Sequence, residues 1–195
     1  MRVLSGGLVA GAACTCAAAG AAGARPGDWC THPKGDPRID FSVLLLDGDH
    51  GERLTVSSFV GSPVWLNFFT TWCPPCNEEA AGIVSLGARY RDAGLKIVGV
   101  DVKETQEPVR AFVAKYHIDY PVGLDSRGIV FKGLGGNRFP THVFLDRAGH
   151  ITCVAHGALT SNQMDNEIAV ALAGGQDRPQ ARASASPIST ASPKP

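Results

Sequence analysis

Two cysteines separated by two residues, Cys73 and Cys76 in the segment Trp72-Cys73-Pro74-Pro75-Cys76, are the residues of this chain best suited to chemistry. Disulfide exchange needs a thiolate that attacks a sulfur, so a redox cysteine must be reachable and its thiolate stabilised near neutral pH. Cys73 falls where an apolar run over residues 64–69 gives way to a helical pattern. Unpaired backbone N–H groups and the positive end of the helix dipole at such a junction favour a negative sulfur. The spacing therefore predicts an exposed Cys73 as attacking nucleophile and Cys76, about one turn on and more buried, as the resolving sulfur. Pro74 and Pro75 restrict the backbone and remove two N–H donors, which argues against an extreme oxidant. Glu79, three residues beyond Cys76, is placed to face the pair and pass protons, and its charge would raise the thiol pKa values. The plain alternative is a solvated helix glutamate, which is also the reading for Glu78, one position off that face.

A C-x-x-C pair also serves as half of a zinc site, but four ligands are required and no second pair exists; His32, His50, His117, His142, His150 and His156 show no metal-ligand spacing. No metal and no cofactor are expected, since two sulfurs hold the electrons themselves. A purely structural disulfide is disfavoured because it would close a very short loop and constrain little unfolded chain.

The elements that must position the pair follow from the pattern. Residues 41–46 and 53–56 flank the turn-rich Asp47-Gly48-Asp49-His50-Gly51 and read as a hairpin, and the continuous apolar run 64–69 suits a central strand. A helix is predicted from about 75 to 91, with Pro75 tolerated in the first turn. Residues 96–102 read as a second buried strand, 108–116 as a helix begun by Pro108, 143–146 with 151–155 as a hairpin, and 161–173 as a closing helix. The alternation predicts an α/β fold, a mixed sheet with helices on its faces.

The chain has 195 residues, 18 Lys plus Arg against 18 Asp plus Glu, and six cysteines. One domain is expected, with no basic and aromatic pattern for nucleic acid. Residues 1–24 resemble a secretory leader, with Ala22-Gly23-Ala24 as small residues for cleavage; lipidation at Cys14 or Cys16 and a low-complexity leader are the alternatives. Residues 25–38, with Cys30 among them, read as a linker, 39–173 as the folded domain, and 174–195 as a disordered Pro/Ser/Ala-rich tail. Cys153 reads as a buried apolar filler, or, in an oxidising compartment, as the partner of Cys30 in a disulfide that tethers the linker.

The segment 66–79, Leu-Asn-Phe-Phe-Thr-Thr-Trp-Cys-Pro-Pro-Cys-Asn-Glu-Glu, resembles the thioredoxin superfamily and its TlpA/ResA/CcmG-like extracytoplasmic branch, over residues 41–173. The resemblance implies a thioredoxin fold with an added N-terminal β-hairpin. It also makes Phe139-Pro140-Thr141 the cis-proline loop opposite the redox pair. Pro140 is thus predicted cis, with Trp72, Phe139, Pro140 and Thr141 as substrate-binding residues and the backbone before Pro140 open to a substrate strand. It strengthens Glu79 as a proton-transfer residue beside catalytic Cys73 and Cys76, and it places Asn67 where cytoplasmic thioredoxins carry a buried aspartate. Ala81 stands where the branch commonly has a helix-kinking proline, and bulky Phe139 where a small or β-branched residue is usual.

The implied function is exchange of a Cys73/Cys76 dithiol-disulfide with protein thiols or disulfides outside the cytoplasm. The partner expected is apocytochrome c, with electrons from a membrane thiol-electron transporter and possible anchoring through the N-terminus. Oxidative folding of secreted proteins, a peroxidase and a redox-inert binding module are the other readings.

Overall fold

The computed structural model describes residues 29–33, 38–48 and 51–174. The expected leader lies outside the described residues, as does the expected tail beyond Gly174; the expected linker is described at 29–33 and 38.

Strand β4 (Val64–Phe69) is buried at every position. That explains why its sequence is almost continuously apolar: a strand covered on both faces has no solvent side on which to alternate. It lies parallel to β5 (Lys96–Val102) and antiparallel to β7 (Thr141–Leu145). Among the described residues eight strands form one sheet, ordered β1-β8-β7-β4-β5-β6-β2-β3. The remaining members are β1 (Cys30–Thr31), β2 (Ser42–Leu45), β3 (Arg53–Thr55), β6 (Val122–Asp125) and β8 (Ile151–His156).

The two faces of β4 sort the core. Val64, Leu66 and Phe68 pack with Val98, Val100, Val143, Leu145 and Phe131, the last from the short helix α3 (Ile129–Gly133). Trp65 and Phe69 point the other way. Trp65 packs with Ile83 and Leu86 of helix α1 (Pro74–Tyr90) and with Met164 and Ile168 of α4 (Ser161–Leu172). Phe69 packs with Ala80 of α1 and with Val109 and Phe112 of α2 (Gln106–Tyr116). Three helices therefore cover the face on which Cys76 and Glu79 lie.

The expected hairpins, central strands and long helices are present, with ends shifted by one to a few residues. Helix α2 begins at Gln106, two residues before Pro108, because the first turn of a helix has N–H groups without intrahelical partners and a proline there loses nothing. Three of the named elements, β1, β6 and α3, have no counterpart in the sequence reading. Strand β6 and helix α3 are short, and one side chain joins them: the Asp125 carboxylate accepts from the backbone N–H groups of Ile129 (3.0 Å) and Phe131 (2.9 Å). Cys30, expected within a linker, lies in β1, which pairs with Ala155 and Val154 of β8. A disulfide joins Cys30 to Cys153 across 123 residues, with their Cα atoms 5.6 Å apart, so Cys153 is a bonded cysteine as well as a buried one.

Gly136 sits where a Cβ would come within 2.3 Å of the Phe131 ring and 2.6 Å of the Phe131 carbonyl oxygen. Phe131 in turn stacks on Phe139 at 4.6 Å. Gly136→Ala should therefore displace this aromatic pair and destabilise the protein by about 1–3 kcal/mol, the usual cost of overpacking, read as a lower urea midpoint at unchanged m-value. A midpoint equal to wild type would contradict the close approach.

Candidate active site

Chain direction brings the cysteines to the C-terminal end of a central strand. β4 ends at Phe69, three residues turn, and α1 starts at Pro74 with Cys73 as its N-cap. The Cys73 sulfur accepts the N–H of Cys76 at 3.3 Å, so a backbone donor with no helical partner is met by sulfur. Cys73 and Cys76 form a disulfide with Cα atoms 5.3 Å apart.

The turn is anchored from two sides. Glu104, just beyond β5, accepts from the Thr71 N–H at 2.6 Å and from the Thr71 hydroxyl at 2.7 Å. The Asn77 amide donates to the carbonyls of Thr71 (2.8 Å) and Cys73 (2.9 Å), while its own oxygen accepts from Tyr116 of α2 (2.7 Å). The bonds from Thr71 to Glu104 and from Tyr116 to Asn77 join elements more than thirty residues apart, so local spacing gives no hint of them.

Cys73 was expected to be exposed, and it is not: it is 4% accessible against 2% for Cys76. The reason is geometric. A sulfur that caps its own helix and bonds the next turn faces inward, where it packs in the cluster of Phe69, Ala80, Val109 and Phe112. Its neighbours carry the surface. Pro74 is exposed, and Trp72, at 68% accessible, is one of the large apolar side chains left in solvent. Trp72 stands edge-on to Phe139, centroids 6.1 Å apart, so the two rings form an apolar rim beside the disulfide.

The Phe139–Pro140 bond is cis, as predicted. Pro140 is buried and its carbonyl accepts from the Gly157 N–H at 2.8 Å; Phe139 is half-buried. Thr141 is fully buried, its hydroxyl donating to the Arg138 carbonyl at 2.8 Å and lying 3.0 Å from His156 Nδ1. Its side chain is thereby committed within the loop.

Glu79 is not a solvated helix residue: its side chain is 5% accessible, while Glu78 is exposed. Facing it is a residue that sequence reasoning did not single out for chemistry. His142, one residue past Thr141 on β7 and fully buried, places Nε2 at 3.3 Å from Glu79 Oε1, within ion-pair distance though not aligned as a hydrogen bond. The indole N–H of Trp65 donates to His142 Nδ1 at 3.2 Å. An indole nitrogen only donates, so Nδ1 carries the lone pair in the neutral ring and the proton sits on Nε2, toward Glu79. The sequence signal was faint, a histidine inside a strand whose every position is buried. Asn67 pairs with His142 across the strands and is itself buried. Burial, and then the Glu79 charge, raise the phenol of Tyr120 well above its ordinary pKa.

A second acid lies behind the turn. Asp101, fully buried in the otherwise apolar β5, has its carboxyl pushed up to about 8, chiefly by burial and then by Glu104. Burial would raise Glu104 as well, but hydrogen bonds from Asp101 and Thr71 hold it below the ordinary carboxylate range. At neutral pH Asp101 therefore keeps its proton while Glu104 is ionised and grips Thr71. A lone Asp in an apolar run was the visible clue to this pair.

Chemically the site offers two sulfurs joined in a disulfide, a buried carboxylate three residues beyond the second, and an apolar rim. Residues 35–154 match the model of the AhpC/TSA family. The chain is 32% identical over 126 residues to a thiol-disulfide oxidoreductase ResA of Bacillus thuringiensis subsp. konkukian, covering 65% of this chain and 71% of that protein. The ResA of Bacillus subtilis strain 168 is 29% identical over 125 residues, 64% of this chain and 70% of that one. Among solved structures, a thioredoxin-family thiol:disulfide interchange protein from Chlorobium tepidum TLS superposes with a TM-score of 0.62 at 28% identity, covering 73% of this chain and 99% of that one. A secreted Mycobacterium tuberculosis disulfide oxidoreductase homologous to E. coli DsbE gives 0.60 at 25% identity, covering 67% and 95%.

The raised Asp101 pKa has a pH signature. The folded state holds this proton where the unfolded chain, near the ordinary value of 3.8, has released it. The stabilisation it contributes is complete below the unfolded value and is lost as pH rises through about 8. Asp101→Asn cannot titrate, so its melting temperature should gain on wild type as pH is raised across that window. A difference that stays flat with pH would contradict the assignment.

Proposed function

Since the chain belongs to the AhpC/TSA family, and within the thioredoxin superfamily to the TlpA/ResA/CcmG-like branch of thiol-disulfide oxidoreductases, we propose that it reduces disulfides in protein substrates outside the cytoplasm, with apocytochrome c the substrate class. The observation that supports this reading most is the Cys73–Cys76 pair held at a helix N-terminus beside an apolar, solvent-facing rim. A ready oxidoreductase pair also removes the motive for a redox-inert module.

In the proposed cycle the Cys73 thiolate attacks a substrate disulfide, forming a mixed disulfide and releasing one substrate sulfur as thiolate. Cys76 gives up its proton and attacks the Cys73 sulfur; the mixed disulfide breaks, the second substrate thiol leaves, and the Cys73–Cys76 disulfide remains. Glu79, buried on the same helix, takes the Cys76 proton, with His142 facing that carboxylate at 3.3 Å. Substrate lies against Trp72 and Phe139 and pairs through the backbone before Pro140, with Thr141 bracing the loop from within. A membrane thiol-electron transporter returns two electrons as a dithiol. The folded domain of this account is residues 39–173 together with β1, preceded by a secretory leader or membrane anchor within 1–24 and followed by the 174–195 tail. No helix among the described residues is long and apolar enough to cross a membrane, so anchoring would fall to the leader.

Insulin reduction with dithiothreitol tests the roles. Cys73→Ser should abolish it, and Glu79→Gln should slow the resolving step on the order of 10²-fold, the usual worth of a positioned proton acceptor. Retention of wild-type turnover by Cys73→Ser would refute the scheme. Direction is read from equilibrium with glutathione: a potential near about −270 mV supports a reductase, whereas one near about −120 mV makes the protein an oxidant of secreted substrates.

A further inference from the structure

Away from the active site, the second disulfide lies among groups that a tether does not need. Cys30 Sγ, His32 and Glu167 bring one ligand atom each within 4.8 Å of one another, and Cys153 Sγ is bonded to Cys30. They converge from three places: Cys30 and His32 on and just after β1, Cys153 on β8, and Glu167 in α4. Glu167 is 2% accessible, and its Oε2 has no hydrogen-bond partner, while Oε1 accepts only a bond from the adjacent Asn166 at 3.1 Å. A buried carboxylate oxygen without a donor costs free energy that a disulfide does nothing to recover. His32 is held by a 2.7 Å bond from Nδ1 to the Thr152 carbonyl, and the same nitrogen lies 3.4 Å from Cys30 Sγ. A ring N–H on a backbone carbonyl is the kind of contact that orients zinc-ligating histidines, and with Nδ1 so committed Nε2 is the nitrogen left to ligate.

The geometry points to a redox-gated zinc site: on reduction of the Cys30–Cys153 disulfide, Cys30, Cys153, His32 and Glu167 together bind one Zn(II). Two thiolates, one imidazole and one carboxylate are a tetrahedral zinc donor set. With zinc–ligand bonds of about 2.0–2.3 Å, tetrahedral ligands stand roughly 3.3–3.8 Å apart, so the donors of Cys30, His32 and Glu167, already within 4.8 Å of one another, need only small side-chain adjustments, and Cys153 is the neighbour bonded to Cys30. Zinc would also give the buried Glu167 Oε2 the partner it lacks. His32 is half-buried, which leaves its side of the cluster as the way in for the ion.

The step balances with a dithiol as reductant. The dithiol gives two electrons and two protons, its own sulfurs close to a disulfide, and Cys30 and Cys153 become thiols. Zinc then binds both as thiolates and two protons pass to solvent. While the disulfide is closed neither sulfur is a thiolate, and the site has no affinity to offer. The spacing of Cys30 and His32 alone could not announce it, because the other two ligands lie more than a hundred residues further along the chain.

Cobalt(II) is the probe, in the full chain carrying Cys14→Ser, Cys16→Ser, Cys73→Ser and Cys76→Ser, so that Cys30 and Cys153 are the remaining thiols. After reduction and removal of the reductant, one equivalent of cobalt should produce thiolate-to-cobalt charge-transfer absorption and the visible bands of a tetrahedral ion, and zinc should displace it. Glu167→Gln and His32→Ala should each weaken cobalt binding by at least about tenfold, and the oxidised protein should bind none. Absence of these bands in the reduced protein, or undiminished affinity in both ligand variants, overturns the proposal. Circular dichroism covers the case in which reduction loosens the fold: zinc should then restore the native spectrum and raise the melting temperature, less so in Glu167→Gln, and a reduced chain that zinc leaves unfolded overturns it equally. Activity assays on the Cys73–Cys76 pair read a different site, so failure here leaves the proposed function untouched.

Discussion

One backbone N–H, that of Cys76, donating to the sulfur of Cys73, is the contact around which the rest of the structure is arranged. A helix must begin where a central strand has just ended, and its first turn has donors with nothing to meet. Placing sulfur there satisfies a donor and puts a thiol where negative charge is favoured. It also brings the second sulfur, one turn on, within bonding distance. The turn between strand and helix has to be rigid for this to hold, and Glu104 and Asn77 make it so by binding Thr71 from β5 and α1 respectively.

A layer of polar groups lies under α1 on a face that is otherwise apolar. Asn67, His142, Glu79 and Asp101 are all buried, and they belong to β4, β7, α1 and β5. Such a layer is expensive unless its members answer one another. Trp65 answers His142, which faces Glu79; Asp101 answers Glu104, which grips the turn. The opposite face, with Phe68, Leu66 and Val100, carries none of this and serves as packing.

How much of this could be read from residues depended on how local the cause was. The strand 64–69, the helix that follows it, the cysteine pair and the cis proline each sit in a short segment whose types and order imply their geometry. Glu79 was visible as a candidate from its helical spacing. What escaped was settled by contacts across the sheet. His142 means nothing until β7 lies beside β4, and Asp101 and Glu104 mean nothing until the end of β5 reaches Thr71. Cys30 read as part of a linker because two residues are too few to show a strand's alternation, and it is the pairing with β8 that orders it. The exposure of Cys73 was misjudged for a related reason: reactivity was equated with surface, whereas the capping geometry turns the sulfur inward and leaves Trp72 outside.

The central claim is that the two sulfurs have unequal tasks, Cys73 meeting the substrate and Cys76 resolving it. Trapping measures this directly: each single Cys→Ser variant of the pair, reduced, is mixed with a disulfide-bonded protein and the adducts are mapped by mass spectrometry. The account predicts a stable mixed disulfide at Cys73 in the Cys76→Ser variant and little adduct in Cys73→Ser. Equal trapping at Cys76, or none at Cys73, would contradict it.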